Sequence, residues 1–416
     1  MRKAKIGDYV RVHYLIRLED RSIYSGTFGE GPVVFKIGEC KDMQGLDDII
    51  VGMFPNEFKS VRFDAKNMVG DYDPRLVFVV RREELPKNVD IKIGMFLQRV
   101  KSDGSKEYLR IVNMHDDLVM LDANHPLAGR NLIMDVLLLD INDNIEDLLE
   151  NFRYEWFKEK VNNIEDFEEE LKRYERRDDK KILICVSAFN RRKMTELCLS
   201  QIQRYKAKNC FLQVYNDHSN EYNNDFLKNY ADEVIQLPLK MGIHNLRIYQ
   251  LKRFLESDFD LLYFTDNDVL HDPEFIKVLN FLYELGNKEL PVCIYNSRFH
   301  AKPENVIFFK NGVSLRKTAP GVSMLYDKNM AERIIRYIDK IGSFLNDISW
   351  DYRIIAYLDK PFITTDISYL EHFGAEGIHN ADFERDRAIN PTFYLKSIRQ
   401  NIINFLVNGE YLDIKF

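Results

Sequence analysis

The chain has little with which to cross-link itself. Five cysteines stand among its 416 residues, Cys40, Cys185, Cys198, Cys210 and Cys293, an odd, scattered set with no CxxC pair. That argues against a disulfide framework or a cysteine-based zinc site and predicts reduced thiols in a cytoplasmic compartment. No apolar run approaches the ~20 residues that a membrane-spanning helix needs. Met1-Arg2-Lys3-Ala4-Lys5 is not followed by the apolar stretch of a secretory signal. Basic excess is missing too, and a net charge of −7 argues against a general nucleic-acid binder. Glycine and proline are absent from residues 142–180, which leaves that segment suited to helix. What is present is the composition of a soluble globular protein, long enough for two or three domains.

The amino-terminal third reads as a compact β-rich unit. Residues 9–18 alternate polar and apolar side chains as a half-buried strand does. A loop punctuated by Gly26, Gly29, Gly31 and Pro32 leads to a strand over 33–38, and 42–53 has the apolar spacing of one short amphipathic helix. Further strands are predicted over 59–63, 95–100, 109–114, 118–121 and 132–141.

The order of a strand carrying Tyr14, then Phe35-Lys36-Ile37-Gly38, Gly45-Leu46-Asp47, Gly70-Asp71-Tyr72-Asp73 and Asn124-His125-Pro126-Leu127-Ala128-Gly129-Arg130-Asn131-Leu132 resembles an FKBP-type peptidyl-prolyl isomerase. Within that family it is most similar to the SlyD branch, with the insert-in-flap chaperone domain at about 78–122. The resemblance implies an α+β FKBP-like domain with a β-rich insert over 1–141. It also implies an apolar, peptide-binding proline pocket lined by Tyr14, Phe35, Met43, Leu46 and Met134. Two positions depart from the family. The loop aspartate is replaced around Ser25, and Val69 precedes Gly70 where the family has tyrosine. Both changes remove polar groups that orient a twisted amide, so peptide binding is expected and isomerase activity is left open. The plain alternative is that Tyr14 and Phe35 are core aromatics.

Between 142 and 180, Leu148, Leu149, Phe152, Trp156, Val161, Phe167 and Leu171 recur among Glu, Lys and Arg, the pattern of one or two amphipathic helices. This charged helical connector is expected to pack on one domain or on a second subunit, where it offers a route to homo-oligomers. From Lys181 strands and helices alternate. Strands over 182–186, 211–215, 233–237 and 261–264 predict a parallel sheet. Ligands of such sheets sit outside the carboxyl ends of the strands, so Asn190, Asp217 and Asp268 should converge on one crevice. Thr265-Asp266-Asn267-Asp268 sets two carboxylates one residue apart at the end of a buried strand, where they are costly unless paired. A divalent cation would pair them while keeping positions open for phosphate oxygens. The alternative is a solvated turn before the helix-start signal His271-Asp272-Pro273.

This succession resembles the GT-A nucleotide-sugar transferases, most nearly glycosyltransferase family 2, over about 181–380, in a domain expected at 181–390. The fold implied is α/β. The resemblance assigns Ala188, Phe189, Asn190 and Arg191 to the nucleotide-sugar site, with Asp217 at the base edge and Asn267 beside the donor. Gly242 and Arg247 match the helix after the third strand in part. Asp266-Asn267-Asp268 stands where the family's DxD metal motif stands, Asp268 as a direct ligand of Mn²⁺ or Mg²⁺ and Asp266 as a ligand or ribose contact. His372 is the favoured third ligand over His379. Asp351, directly after Trp350, is the expected base, with Asp347 as a cap or competing base. Pro320-Gly321-Val322-Ser323-Met324 is the expected sugar or acceptor wall, and 391–416 a helical extension.

The donor implied is a UDP- or GDP-sugar and the acceptor a hydroxyl, on a polypeptide that the FKBP-like domain presents, with inversion at the sugar. A glycan or lipid acceptor is the alternative, as is retention at the sugar. A different reading makes the chain a chaperone-type binding module beside an inactive GT-A scaffold.

Overall fold

The computed structural model describes residues 2–20, 22–27, 31–40, 45–64, 70–86, 89–100, 104, 106–148, 154–175, 180–298, 300–341, 350, 354, 357–373 and 388–408. The chain divides into two compact units, 1–27 with 33–148, and 28–32 with 149–416.

The strands of the amino-terminal unit are β1 (Tyr9–Leu18), β2 (Ile23–Gly26), β3 (Val33–Lys36), β4 (Phe58–Phe63), β5 (Val77–Arg81), β6 (Phe96–Val100), β7 (Lys106–His115), β8 (Leu118–Asp122) and β9 (Leu132–Asn142). One antiparallel sheet has the order β2-β1-β9-β4, with β3 also on β1. The long β1–β9 ladder pairs Tyr9 with Asn142 at one end and Leu18 with Leu132 at the other. A second sheet, β5-β8-β7-β6, forms between β4 and β9 in the chain around buried Leu109, Ile111, Val119 and Leu121.

A short helix, α1 (Leu46–Ile50), packs on the first sheet through Leu46, Ile49 and Ile50. It is shorter than the amphipathic spacing over 42–53 predicts. Gly45 and Gly52 bracket it in left-handed backbone, φ 85° and 83°, which a helix cannot include. The run from Asn124 to Leu132 has a local cause as well. Asn124 clamps Asp73, accepting from its N–H at 2.8 Å and donating to its carbonyl at 2.9 Å. Gly129 has φ 71°, and a Cβ there would stand 3.1 Å from Tyr72 Cβ.

In the carboxy-terminal unit the elements run α2 (Glu155–Asn162), α3 (Phe167–Arg173), β10 (Ile182–Ala188), α4 (Arg192–Tyr205), β11 (Cys210–Asn216), α5 (Asn224–Leu227), β12 (Glu233–Gln236), α6 (Gly242–Leu255), β13 (Leu261–Asp266) and β14 (Val269–His271). They continue through α7 (Phe275–Leu285), β15 (Val292–Cys293), β16 (Val306–Lys310), β17 (Val313–Arg316), β18 (Ser323–Asp327), α8 (Lys328–Ile341), β19 (Phe362–Thr365), β20 (Leu370–His372) and α9 (Phe393–Asn408). Among the described residues nine strands form one sheet, β12-β11-β10-β13-β18-β15-β19-β17-β16. The first four are parallel. β18 then runs antiparallel to β13.

The chain enters at β10, moves outward to β11 and β12, and returns to the other side of β10 for β13. Strand order therefore reverses between β10 and β13, the place where open α/β sheets form a ligand crevice. Ile182 to Val186 and Leu261 to Thr265 are buried throughout, as expected of strands inside such a sheet.

Two helical segments brace this unit. Phe157 of α2 meets Phe308 edge-on at 5.9 Å, and Phe167 of α3 lies 5.4 Å from Phe281, so these two helices of the charged segment pack on the carboxy-terminal unit. Leu395 and Ile402 of α9 cluster with Met194, Leu270 and Phe373, and Arg399 pairs with buried Glu371. Among the described residues no helix is long and apolar enough to cross a membrane.

No disulfide joins any of the five cysteines. Burial pushes the Cys185 and Cys198 thiols up to about 12, so they stay protonated.

Each unit also holds a fully buried histidine whose pKa burial pushes down to about 3, His13 in the first and His271 in the second. A depressed imidazole pKa means that the unfolded chain binds the proton first. The share of stability that each histidine governs is therefore complete above the unfolded value near 6.5 and falls as the pH drops toward 3. Each histidine contributes a slope of up to about 1.4 kcal/mol per pH unit in that window. Urea unfolding at pH 7, 6, 5 and 4 is expected to show this slope, and His271→Gln to flatten it for the carboxy-terminal unit only.

Candidate active site

The carboxyl ends of β10 and β13 lie side by side, with Ser187 opposite Asp266. Immediately after β10, Asn190 and Arg191 both take left-handed backbone, φ 53° and 58°. Such strain costs on the order of 1–3 kcal/mol per residue and persists only where neighbours fix it. Here they do. Asn190 N–H donates to Ser219 Oγ at 3.2 Å, and Asn190 Oδ1 accepts from Asn220 N–H at 2.9 Å. Asn267 is buried and donates from Nδ2 to Asn190 O at 3.0 Å and to Thr195 Oγ1 at 2.7 Å. Its amide thus ties the β10 loop to α4.

Asp268 lies at the centre. Its side chain is 5% exposed, and Oδ2 pairs with the Arg191 guanidinium and lies 3.3 Å from His372 Nε2. His372 arrives because β20 adds antiparallel to β14 with Val269 opposite His372, and Phe373 N–H donates to Asp268 O at 2.9 Å. Asp266 has a separate partner. Its Oδ1 accepts from Arg247 Nη2 at 2.8 Å. Arg247 is wholly buried, bonds to Ser187 Oγ and Gln250 Oε1 at 3.1 Å, and sets its guanidinium 4.6 Å from the Phe264 ring centroid. The same guanidinium reaches Gly321 O at 3.5 Å, so the expected Pro320–Met324 wall meets this residue.

Asp217, at the end of β11, accepts from the backbone N–H groups of Met241 at 2.8 Å and Gly242 at 3.2 Å. It caps the start of α6, where a carboxylate is favoured by the helix dipole. The base-edge role implied by resemblance therefore meets a carboxylate whose oxygens already accept two backbone bonds. Phe189, after Ala188 at the end of β10, lies under Lys240, whose Nζ is 3.9 Å from the ring centroid. Asp351, Asp347 and His379 lie outside the described residues.

Among the described residues no three acidic, histidine or cysteine side chains close on one point. The expected trio of Asp266, Asp268 and His372 is thus not assembled, because Asp266 is committed to Arg247. Asp268 Oδ2 and His372 Nε2 do converge, a hard oxygen and an imidazole nitrogen that fit two positions of a divalent cation's shell, with phosphate and water for the rest.

Sequence patterning did not point to Arg191 and Arg247 as the partners of the two carboxylates, nor to Thr195 and Ser219 as braces.

In the amino-terminal unit, Leu46 and Met134 are buried in one apolar cluster, and Tyr14 and Phe35 pack on it half-exposed. Four of the five expected pocket residues therefore share one cluster. Met43 lies outside the described residues.

Residues 1–73 match the family described as FKBP-type peptidyl-prolyl cis-trans isomerase. A probable FKBP-type 16 kDa peptidyl-prolyl cis-trans isomerase of Pseudomonas fluorescens is 28% identical over 32% of this chain and 87% of its own length. The FKBP-type 16 kDa isomerase of Escherichia coli K12 is 26% identical over 33% and 93% respectively. SlyD of Treponema pallidum is 24% identical over 33% of this chain and 78% of its own. Among solved structures, S. aureus TarS 1–349 superposes with a TM-score of 0.32 and 15% identity, over 46% of this chain and 59% of that one. The amino-terminal third of the chain is an FKBP-type peptidyl-prolyl cis-trans isomerase domain of the kind found in SlyD.

Proposed function

We propose that the carboxy-terminal unit is a metal-dependent glycosyltransferase that moves a sugar from a UDP- or GDP-sugar to a hydroxyl acceptor, and that the FKBP-type domain binds the polypeptide carrying that hydroxyl. The observation that carries this reading is the reversal of strand order between β10 and β13, with Asn190, Arg191, Asp268 and His372 gathered at that crevice. Mn²⁺ or Mg²⁺ would be held by Asp268 and His372. When bound, such a cation neutralises the charge that develops on a leaving diphosphate. The chain's own residues have distinct tasks. Asn267 and Ser219 hold the loop that carries Phe189 to Arg191, Phe189 offers a ring face to a base, and Arg191 offers a cation to phosphate. Asp351 is the proposed base for the acceptor hydroxyl, in an inverting displacement. Five cysteines with no disulfide among them support work in the cytoplasm.

A second reading, a peptide-binding module beside an inactive scaffold, is favoured by one observation. Both carboxylates of the Asp266-Asn267-Asp268 stretch already have an arginine partner.

Thermal unfolding of the full chain with UDP, GDP, CDP or ADP, each with Mn²⁺, separates the two readings. A ligand at a hundred times its Kd stabilises by about 2.7 kcal/mol, which raises the midpoint of a unit this size by roughly 5–10 °C. One or two of the four are expected to do so. A flat panel would leave only the binding-module reading. Labelled sugar appearing only in lipid or oligosaccharide, when donor and lysate are supplied, would remove the polypeptide acceptor.

A further inference from the structure

Asp268 carries two relations that a simple ligand would not need. One is convergence with His372, and the other is an ion pair with Arg191 on the same oxygen, Oδ2. A guanidinium on that oxygen stands where a cation would bind, and a carboxylate 5% exposed gains its charge balance from it. The Arg191 backbone is also strained, φ 58°, next to Asn190 at 53°, and both sit on a loop tied down by Ser219 and Asn267. That loop is therefore fixed, while the Arg191 side chain, 25% exposed, reaches solvent. Guanidinium groups bind phosphate oxygens at least as well as carboxylates, through paired N–H donors.

We propose that Arg191 is an internal counter-ion that competes with the divalent metal for Asp268 and is drawn off by the diphosphate of the donor. Resting on the glycosyltransferase reading, this makes metal and nucleotide bind cooperatively. Without nucleotide, Arg191 covers Asp268 and the cation binds weakly. With nucleotide, Arg191 turns to the phosphates, and Asp268 with His372 is released to the cation. The coupling is reciprocal, so metal must tighten nucleotide by the same factor. Asp266 takes no part, since Arg247 holds it throughout.

The test is Mn²⁺ binding to the full chain, read from the free-ion electron paramagnetic resonance signal, with and without UDP or GDP. In the absence of nucleotide, Arg191→Gln is expected to bind Mn²⁺ at least tenfold more tightly than wild type, and Arg191→Lys, which keeps the charge, to stay within about threefold. Adding the nucleoside diphosphate should tighten Mn²⁺ tenfold or more in wild type and much less in Arg191→Gln. Asp268→Asn should lose the site in every case. Mn²⁺ affinity in Arg191→Gln equal to or weaker than wild type overturns the competition, even where nucleotides bind. Tighter Mn²⁺ binding in that variant with no nucleotide bound by any protein upholds the competition at Asp268 and removes its link to a donor.

Discussion

Asp268→Asn is expected to lower donor turnover by the carboxy-terminal unit about a thousandfold while leaving its fold intact. The substitution is isosteric, and the backbone contact from Phe373 N–H to the carbonyl of residue 268 survives it. Arg191, one quarter exposed, can turn to water when its partner is neutralised, so the change does not strand a buried cation. What disappears is the negative oxygen on which Arg191 and His372 converge, and with it the anchor that the proposed cation would use. Hydrolysis of UDP- or GDP-sugar by wild type and variant, measured together with binding of an unfolded peptide to the FKBP-type domain, gives two independent readouts. Turnover should collapse and peptide binding should hold. Wild-type protein that binds peptide and turns over no donor would instead establish the binding-module reading.

Much of this site could be seen in the chain because its strands announce themselves. Ile182-Leu183-Ile184-Cys185-Val186 and Leu261-Leu262-Tyr263-Phe264 are uninterrupted apolar runs, which only a strand buried on both faces or a core helix uses, and their length decides for strand. Polar residues at the ends of such runs, Asn190, Asp217, Asp266 and Asp268, then fall at one edge of the sheet by the geometry of parallel crossovers alone. The partners were not legible. Arg247 lies on a helix among other charged residues, and nothing in its spacing distinguishes it from the exposed Lys252 on the same helix. Only the fold shows that it is buried against Asp266. The same holds for Glu371 and Arg399, which join the strand of His372 to α9.

Local patterns carried less in the far half of the sheet. β15 has two residues and β17 and β19 four each, buried without alternation, too short for periodicity to register. In the amino-terminal unit the apolar spacing over 42–53 suggested a longer helix than α1, because periodicity does not see that Gly45 and Gly52 stop it.

Arg247→Met is expected to cost the carboxy-terminal unit about 3–5 kcal/mol, the largest stability effect that this site offers. Arg247 is fully buried and holds Asp266, Ser187 and Gln250 by hydrogen bonds of 2.8, 3.1 and 3.1 Å. Methionine replaces much of its volume against Phe264, so the loss isolates charge from packing. The remaining Asp266 carboxylate, 23% exposed at the end of β13, then loses the cation that balances its charge. Adding Asp266→Asn removes that second charge, and the double variant should recover more than half of the loss, as a coupled pair requires. Both tryptophans, Trp156 and Trp350, belong to the carboxy-terminal unit, so their fluorescence in urea follows this unit without a signal from the FKBP-type domain. Equal losses in the single and double variants would mean that Arg247 acts through packing on Phe264 alone. Recovery would identify the pair as what holds Asp266 apart from Asp268, and so as the reason that a cation in this crevice would rest on Asp268 and His372.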